Sequence, residues 1–300
     1  MRVDPNFITN LSGSLNQSSN LINTLSSELA SGMSISQLQD NPVAAAQSTL
    51  LDGQIEQYDT FVQTSSGEAS MMQVADSTLG DVVTQITQAL GLAVQGSNGT
   101  ENPSDNASVA QSLNGILNQV VSLANTSFQG QFLFSGSQGS VQPFTLNTAT
   151  TPATVTYAGD TNVQFLETPS GQKLQVNLPG STVFGTGTTG VIGALSQLAA
   201  DISGSASTAT ITADTSTLKT ALDQLSTQRS ALDSSLAQMN SANTFAQTTG
   251  AQLEIAQSGL VSANPETVAT QLSSAETQHQ ALLSVISTLD NQEDLFQAMR

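Results

Sequence analysis

Residues 51–93 read LDGQIEQYDTFVQTSSGEASMMQVADSTLGDVVTQITQALGLA. Steps of alternately four and three residues from Leu51 to Ala93 meet thirteen positions, of which eleven are apolar and only Ser65 and Asp76 are polar. A chain that is 38% apolar overall would supply about five by chance. The repeat of 3.5 residues predicts one long helix with a narrow apolar seam, built to lie against a partner helix. Gly80 and Gly91 weaken it locally. Asn41-Pro42 marks its start, an N-cap followed by proline at the first helical position, where the missing N–H costs nothing.

A partner is visible downstream. From Leu218 to Leu260 the same stepping finds nine apolar residues in thirteen positions, with Arg229, Asn243, Gly250 and Gln257 interrupting. Shorter seams close both ends of the chain. Ile8, Leu11, Leu15, Ile22, Leu25 and Leu29 follow the pattern with a break at Ser18, and Gly32 is the predicted helix stop. At the other end Asn264-Pro265-Glu266 places a cap, a first-turn proline and a first-turn carboxylate in order. Val268, Leu272, Ala275, Leu282, Ile286, Leu289 and Phe296 then form a seam, with His279 and Glu293 as its polar members.

Between the halves the period changes. Residues 95–100 break the helix, and Asp105 is the predicted cap of another helix carrying Val109, Leu113, Ile116, Val120 and Leu123. Gln131-Phe132-Leu133-Phe134 then has strand-like aromatic density. Further strand candidates are residues 154–157, 163–166 and 173–176, separated by hairpin turns at Gly159-Asp160, Pro169-Ser170-Gly171 and Pro179-Gly180. Helix returns with Val191, Leu195 and Leu198. The expected fold is mainly α, with long coiled-coil-like helices from both chain halves and a small β insertion domain at the tip. Its expected divisions are a terminal helix at 1–40, half of a long-helix domain at 41–136, a β domain at 137–188, the other helical half at 189–263 and a terminal helix at 264–300.

Composition narrows the function classes. Only 9% of the residues are charged, against roughly a quarter in ordinary soluble domains. A surface of Ser, Thr, Gln, Asn and Gly suits close subunit packing, because interface cores are poor in charge. The net charge of −18, with 5 Lys and Arg, argues against nucleic-acid and anionic-membrane partners. The chain has no cysteine, which excludes disulfides, thiol catalysis and thiolate zinc sites. No secretory signal peptide is visible, and no window approaches the roughly 18 apolar residues of a membrane span. Export, if it occurs, is expected without cleavage.

Catalysis finds no support in the residues. Asp290, Glu293 and Asp294 lie near a helix terminus with no pocket implied, and read as a solvated or interface face. The single histidine, His279, has no second His or Cys nearby, so it reads as a polar seam residue that sets register. No nucleophile elbow or phosphate loop is present. The chain is expected to be no enzyme, with no cofactor and no metal.

Several strings, in order along the chain, resemble the hook-filament junction family, flagellar hook-associated protein type 3, within the flagellin-like superfamily. They are Leu29-Ala30-Ser31-Gly32, Asp40-Asn41-Pro42-Val43-Ala44-Ala45-Ala46, Asn98-Gly99-Thr100 and Gly130-Gln131-Phe132-Leu133-Phe134-Ser135-Gly136. Tyr157-Ala158-Gly159-Asp160 and Gly180-Ser181-Thr182-Val183-Phe184-Gly185 resemble its β-domain signature. Flagellin lacks the Phe-Leu-Phe-Ser-Gly string. The chain departs from the family at Met33-Ser34, where a basic residue is usual, and at Asn41, where a second acid is usual.

The resemblance implies a structural subunit of the bacterial flagellum, exported through the flagellar type III route without a cleaved signal peptide and located outside the cell. Implied partners are copies of itself, another hook-associated protein on the hook side, flagellin or a second junction protein on the filament side, and an export chaperone. The assembly seam would comprise Ile8, Leu11, Leu15, Ile22, Leu25, Leu29, Val268, Leu272, Leu282, Ile286, Leu289 and Phe296. Because an isolated helix of this length is marginal in water, the two terminal helices are expected to pair on assembly. The alternatives are a flagellin and a non-flagellar secreted adhesin with a helical stalk.

Overall fold

The computed structural model describes residues 5–35, 41–97 and 103–298, with side chains over 9–35, 41–97 and 104–288. Its helices are α1 (Pro5–Ser31), α2 (Pro42–Ser97), α3 (Pro103–Ala124), α4 (Gly180–Phe184), α5 (Gly190–Ser203), α6 (Thr208–Val261) and α7 (Pro265–Ala298). The strands are β1 (Ser127–Phe128), β2 (Gln131–Phe132), β3 (Phe144–Asn147), β4 (Thr154–Tyr157), β5 (Phe165–Glu167) and β6 (Lys173–Gln175). The mainly α reading with a small β region is borne out. Two compact units divide the chain, residues 57–248 and residues 1–56 with 249–300.

The larger unit has one continuous core. Met72, Leu79 and Ile86 of α2, Leu113 and Leu117 of α3, Leu195 and Leu198 of α5, and Leu218 and Leu225 of α6 are all shut off from solvent. Each seam supplies a residue about every half-heptad, and burying each large aliphatic side chain contributes about 1.5–3 kcal/mol. Helix α3 begins at Pro103, two residues before the predicted cap, and Asp105 sits inside its first turn. There a carboxylate still favours the helix through its dipole.

The β region is three separate antiparallel hairpins, β1-β2, β3-β4 and β5-β6. Phe144 faces Tyr157 across β3 and β4, and Phe165 faces Gln175 across β5 and β6. Three expectations fail here. Gly159-Asp160 joins no hairpin, because β4 pairs backwards with β3 rather than forwards with β5. Pairing in the string after Gly130 ends at Phe132. Pro179-Gly180, expected as a hairpin turn, joins no strands: residues 180–184 form the short helix α4, entered from Pro179 in extended conformation and stopped by Gly185 at φ 82°.

The hairpins are anchored by an aromatic cluster. Phe184 packs edge-on against Phe134 and Phe144, with ring centroids at 5.0 and 5.5 Å, and Tyr157 lies 5.0 Å from Phe144. Asn125, just past α3, acts as a strand substitute: its Oδ1 accepts from Phe144 N–H at 2.9 Å and its Nδ2 donates to Phe144 C=O at 2.9 Å.

The three family-like strings of this region meet at one point. Gly180 N–H donates to Phe134 C=O at 2.8 Å, Asp160 N–H donates to Ser135 C=O at 3.1 Å, and the Tyr157 hydroxyl lies 3.0 Å from Phe134 C=O. Asp160 in turn accepts from the backbone and hydroxyl of Ser137 and from Asn162. The Ser137 hydroxyl, then the Ser137 N–H, then Asn162 hold its carboxyl down to about 2. Glycine is required twice. Gly136 has φ +73°, and a Cβ there would stand 2.1 Å from Asp160 Oδ1; a Cβ on Gly180 would stand 2.6 Å from Phe134 C=O.

Where α5 turns into α6, two carboxyls face each other. Gln197 Nε2 donates to Asp201 Oδ2 at 2.6 Å. Asp214 is half-buried with Oδ2 sealed from solvent. Burial first, then its hydrogen bond and charge contact with Asp201, push the Asp214 carboxyl up to about 6. A folded-state value raised above the ordinary ~3.9 means stability is full below pH ~4 and is lost as pH rises through about 6. Asp214→Asn, a permanent mimic of the neutral form, is therefore expected to match the parent near pH 4 and to melt higher above pH 6. Thermal unfolding across that range checks it, and parallel pH profiles for the two proteins would show that no proton is held there.

Candidate assembly interface

The smaller unit is built from α1, the first turns of α2, the last turns of α6 and α7. Helix α1 ends as predicted at Gly32, which takes φ 70° and donates its N–H to Glu28 C=O at 2.8 Å. Asn41 Oδ1 caps α2 by accepting from Ala44 N–H at 3.1 Å. Asn264 Oδ1 caps α7, accepting from Glu266 and Thr267 N–H at 3.0 and 3.3 Å. The two connections are stitched together: Ser34 N–H donates to Val261 C=O at 2.8 Å and Ala263 N–H donates to Gly32 C=O at 2.9 Å.

Those ties run α1 and α7 antiparallel. Leu25 meets Val268 and Ala275 in a small buried cluster edged by Ile22, Ala263 and Leu272. Ser18, the predicted break in the α1 seam, turns its hydroxyl toward Ala275 C=O at 3.5 Å. The two terminal helices, expected to pair on assembly, lie against one another within one chain.

The predicted seam residues fall into three groups. Leu25 and Val268 are buried, while Leu11, Leu15, Ile22, Leu272, Leu282 and Ile286 are half-buried. Leu29 is 41% exposed, because it lies beyond the point where α7 begins at Pro265. The side chains of Ile8, Leu289 and Phe296 lie outside the described residues, as do those of Asp290, Glu293 and Asp294 and the whole of Asp40 and Asn98-Gly99-Thr100. His279 takes its seam position, half-buried.

The unit keeps much apolar surface in water. Of the thirteen large apolar side chains that stay exposed among the described residues, eight belong to it: Leu21, Leu29, Met33, Val43, Leu50, Ile255, Leu283 and Val285. Leu50 and Ile255 are 71% and 73% exposed. Scattered exposed apolar residues are ordinary, but their number in this one unit makes it the candidate interface. A carboxylate-poor helix helps, and Glu28 is the sole charged residue of α1.

Sequence reading missed what the polar seam residues do. In the larger unit Asn243 Nδ2 donates to Ser65 Oγ at 2.7 Å. Arg229 there grips Asp76 with two hydrogen bonds, Nε at 2.6 Å and a terminal nitrogen at 3.1 Å. In the smaller unit Gln257 Nε2 reaches Ser48 C=O and Asp52 Oδ1, both at 3.3 Å. The polar interruptions Ser65, Asp76, Arg229, Asn243 and Gln257 therefore pair with polar groups on the facing helix, and only Gly250 does not. Ser65 with Asn243 and Asp76 with Arg229 follow nearly one antiparallel register, their residue numbers summing to 308 and 305.

Arg229 with Asp76 is the one ion pair among the described residues. The hydrogen bond from Arg229 holds the Asp76 carboxyl below its usual range, while burial and then the charge of Asp76 push Asp233 up. With both partners partly exposed, such a pair contributes only about 0–1 kcal/mol, and its value is in fixing register. Among the described residues no group of three or more His, Cys, Asp or Glu could hold a metal ion, and no helix is long and apolar enough to cross a membrane.

Comparison with known proteins bears out the family resemblance. Residues 7–139 match the family of the bacterial flagellin N-terminal helical region. The flagellar hook-associated protein 3 of Salmonella typhimurium is 29% identical over 136 residues, covering 45% of this chain and 43% of that protein. Polar flagellin C of Vibrio parahaemolyticus is 27% identical over 126 residues, covering 42% of this chain and 33% of that protein. Each match thus spans less than half of the relative's length. The crystal structure of Xanthomonas campestris FlgL superposes with a TM-score of 0.59 at 15% identity, over 68% of this chain and 97% of that one. At that identity the likeness speaks for the fold.

Proposed function

We propose that this chain, whose sequence is similar to flagellar hook-associated protein 3, is a structural subunit joining the flagellar hook to the filament. The observation that carries the proposal is the concentration of exposed apolar side chains in the unit made from both chain ends. Side chains such as Leu50 and Ile255 gain free energy only when a neighbouring molecule removes them from water. The role is packing and not catalysis. Partners on this reading are further copies of the chain, a hook-associated protein on the hook side and flagellin or a second junction protein on the filament side. An export chaperone would shield the same apolar surface before assembly.

The alternative is a subunit of the filament itself, which the more distant match to a polar flagellin does not favour. Gene deletion separates the two. A junction subunit predicts intact hooks, no attached filaments and unpolymerised flagellin in the medium. Loss of the main filament protein itself, with none released, would favour the flagellin reading, and normal filaments on the deletion strain would exclude both.

A further inference from the structure

The larger unit contains a groove of about 470 Å³ between the β5-β6 turn and the outer face of α6. Thr168 and Pro169 form one wall, Gln238, Ala242 and Phe245 the other, and Tyr58 of α2 closes it. None of the residues lining it is charged. In a chain of net charge −18 that is informative. Asp59, directly after Tyr58 in the sequence, and Asp233, directly before Ser234, are both exposed, yet neither lines the groove. Phe245 is 60% exposed, although it sits on a helix with a well-filled core face.

The same unit carries a projection of matching character. The strand register puts Leu166 opposite Leu174 on the inner face of the β5-β6 hairpin and leaves Phe165, Glu167, Lys173 and Gln175 on the outer face. Phe165 is 57% exposed, and Val163 just ahead of it is 40% exposed. Lys173 is exposed and makes no ion pair among the described residues. It is one of only 5 cations in the chain. The outer face is therefore apolar at its centre, neutral in sum and supplied with a cation, whereas the groove is lined by uncharged residues alone, polar and apolar together, with Tyr58 and Phe245 as its aromatic members.

We propose that the groove of one copy receives the Val163 and Phe165 projection of a neighbouring copy. A molecule carrying 23 carboxylates can approach another of its kind only where carboxylates are absent or met by a cation, and these two surfaces satisfy that condition together. An aromatic anchor entering a neutral pocket is a common centre of binding energy at interfaces. The contact is heterologous, projection to groove, so it propagates from copy to copy and closes into a ring or continues as a helix. The inference rests on the subunit role proposed above only in requiring copies to lie side by side.

The absence of cysteine makes the test direct. Val163→Cys and Gln238→Cys each give the full chain one thiol and leave Phe165, Phe245 and Tyr58 in place. Mixed at high concentration and oxidised, the two variants are expected to form a covalent dimer in about tenfold excess over either variant alone. Adding Phe165→Ser to the Val163→Cys chain should abolish the link while the circular dichroism spectrum stays unchanged. Equal dimer yields from a single variant would overturn the inference, because they would mean a symmetric or indiscriminate contact. So would the absence of the mixed dimer both in concentrated solution and in flagella from cells expressing both variants. If the deletion experiment failed to support a junction role, the purified-chain result would still decide this contact.

Discussion

Substitution of Phe184 by alanine is expected to destabilise the larger unit by about 3–5 kcal/mol. Phe184 is fully buried and touches both Phe134 and Phe144 edge-on, at 5.0 and 5.5 Å. Each such ring pair is worth about 0.5–1.5 kcal/mol beyond the area it buries, so the substitution loses transfer free energy, two aromatic contacts and close packing together. The cavity cannot collapse readily. Gly180 is pressed against Phe134 C=O, and Gly185 has its Cα 2.6 Å from where a Cβ on Gly190 would stand. The backbone on both sides of the ring is thus already at close quarters. Thermal unfolding should show a fall in Tm of roughly 10 °C, with Phe184→Leu falling less because it refills most of the space. A loss below about 1 kcal/mol would show that the hairpins are held by their hydrogen bonds and not by the aromatic cluster.

The long helices were legible because their signal accumulates. Over residues 51–93 thirteen positions vote, so two polar members do not hide the period. The caps at Asn41 and Asn264 were legible because a cap is local chemistry, and both side chains make the predicted bonds. The hairpins were only half legible. Phe144-Thr145-Leu146-Asn147 alternates correctly but is only four residues long, too weak a signal to show that β4 pairs back with β3. Gly180-Ser181-Thr182-Val183-Phe184 has the β-branched residues of a strand, yet tertiary packing of Phe184 and Val183 into the core makes it a helical turn.

The candidate interface divides in the same way. Its buried centre at Leu25 and Val268 could be read from helical spacing, because burial there follows from which residues share a face. Its exposed part could not. Leu50 and Ile255 lie off the seams that were counted, and their importance appears only when exposure is known for both chain ends together. The paired polar residues escaped for a related reason, since Ser65 and Asn243 each look like defects until the two seams are laid antiparallel.

Leu25→Asp is the change expected to have the largest effect on assembly. Leu25 is 4% exposed and Val268 5%, and they are the centre of the only buried cluster described between α1 and α7. A carboxylate placed there meets no cation: α1 and α7 contain no Lys or Arg, and the one histidine, His279, lies three turns along α7 from Val268, so the charge stays unpaired at a cost of several kcal/mol. The α1-α7 pair should open. The core of residues 57–248 does not include either position, so its unfolding transition and the soluble yield should be retained. If the subunit is anchored through its terminal helices, cells carrying Leu25→Asp in place of the parent should lose filament attachment and motility. Leu282→Asp with Ile286→Asp, at half-buried positions, should weaken assembly less than Leu25→Asp, and Ser274→Asp, on the exposed side of α7, should leave it near normal. Swimming rates of the complemented deletion strain give the ranking. Equal motility for Leu25→Asp and Ser274→Asp would mean that pairing of the terminal helices is not what holds the subunit in place, and the exposed residues Leu50 and Ile255 would then be the positions to substitute next.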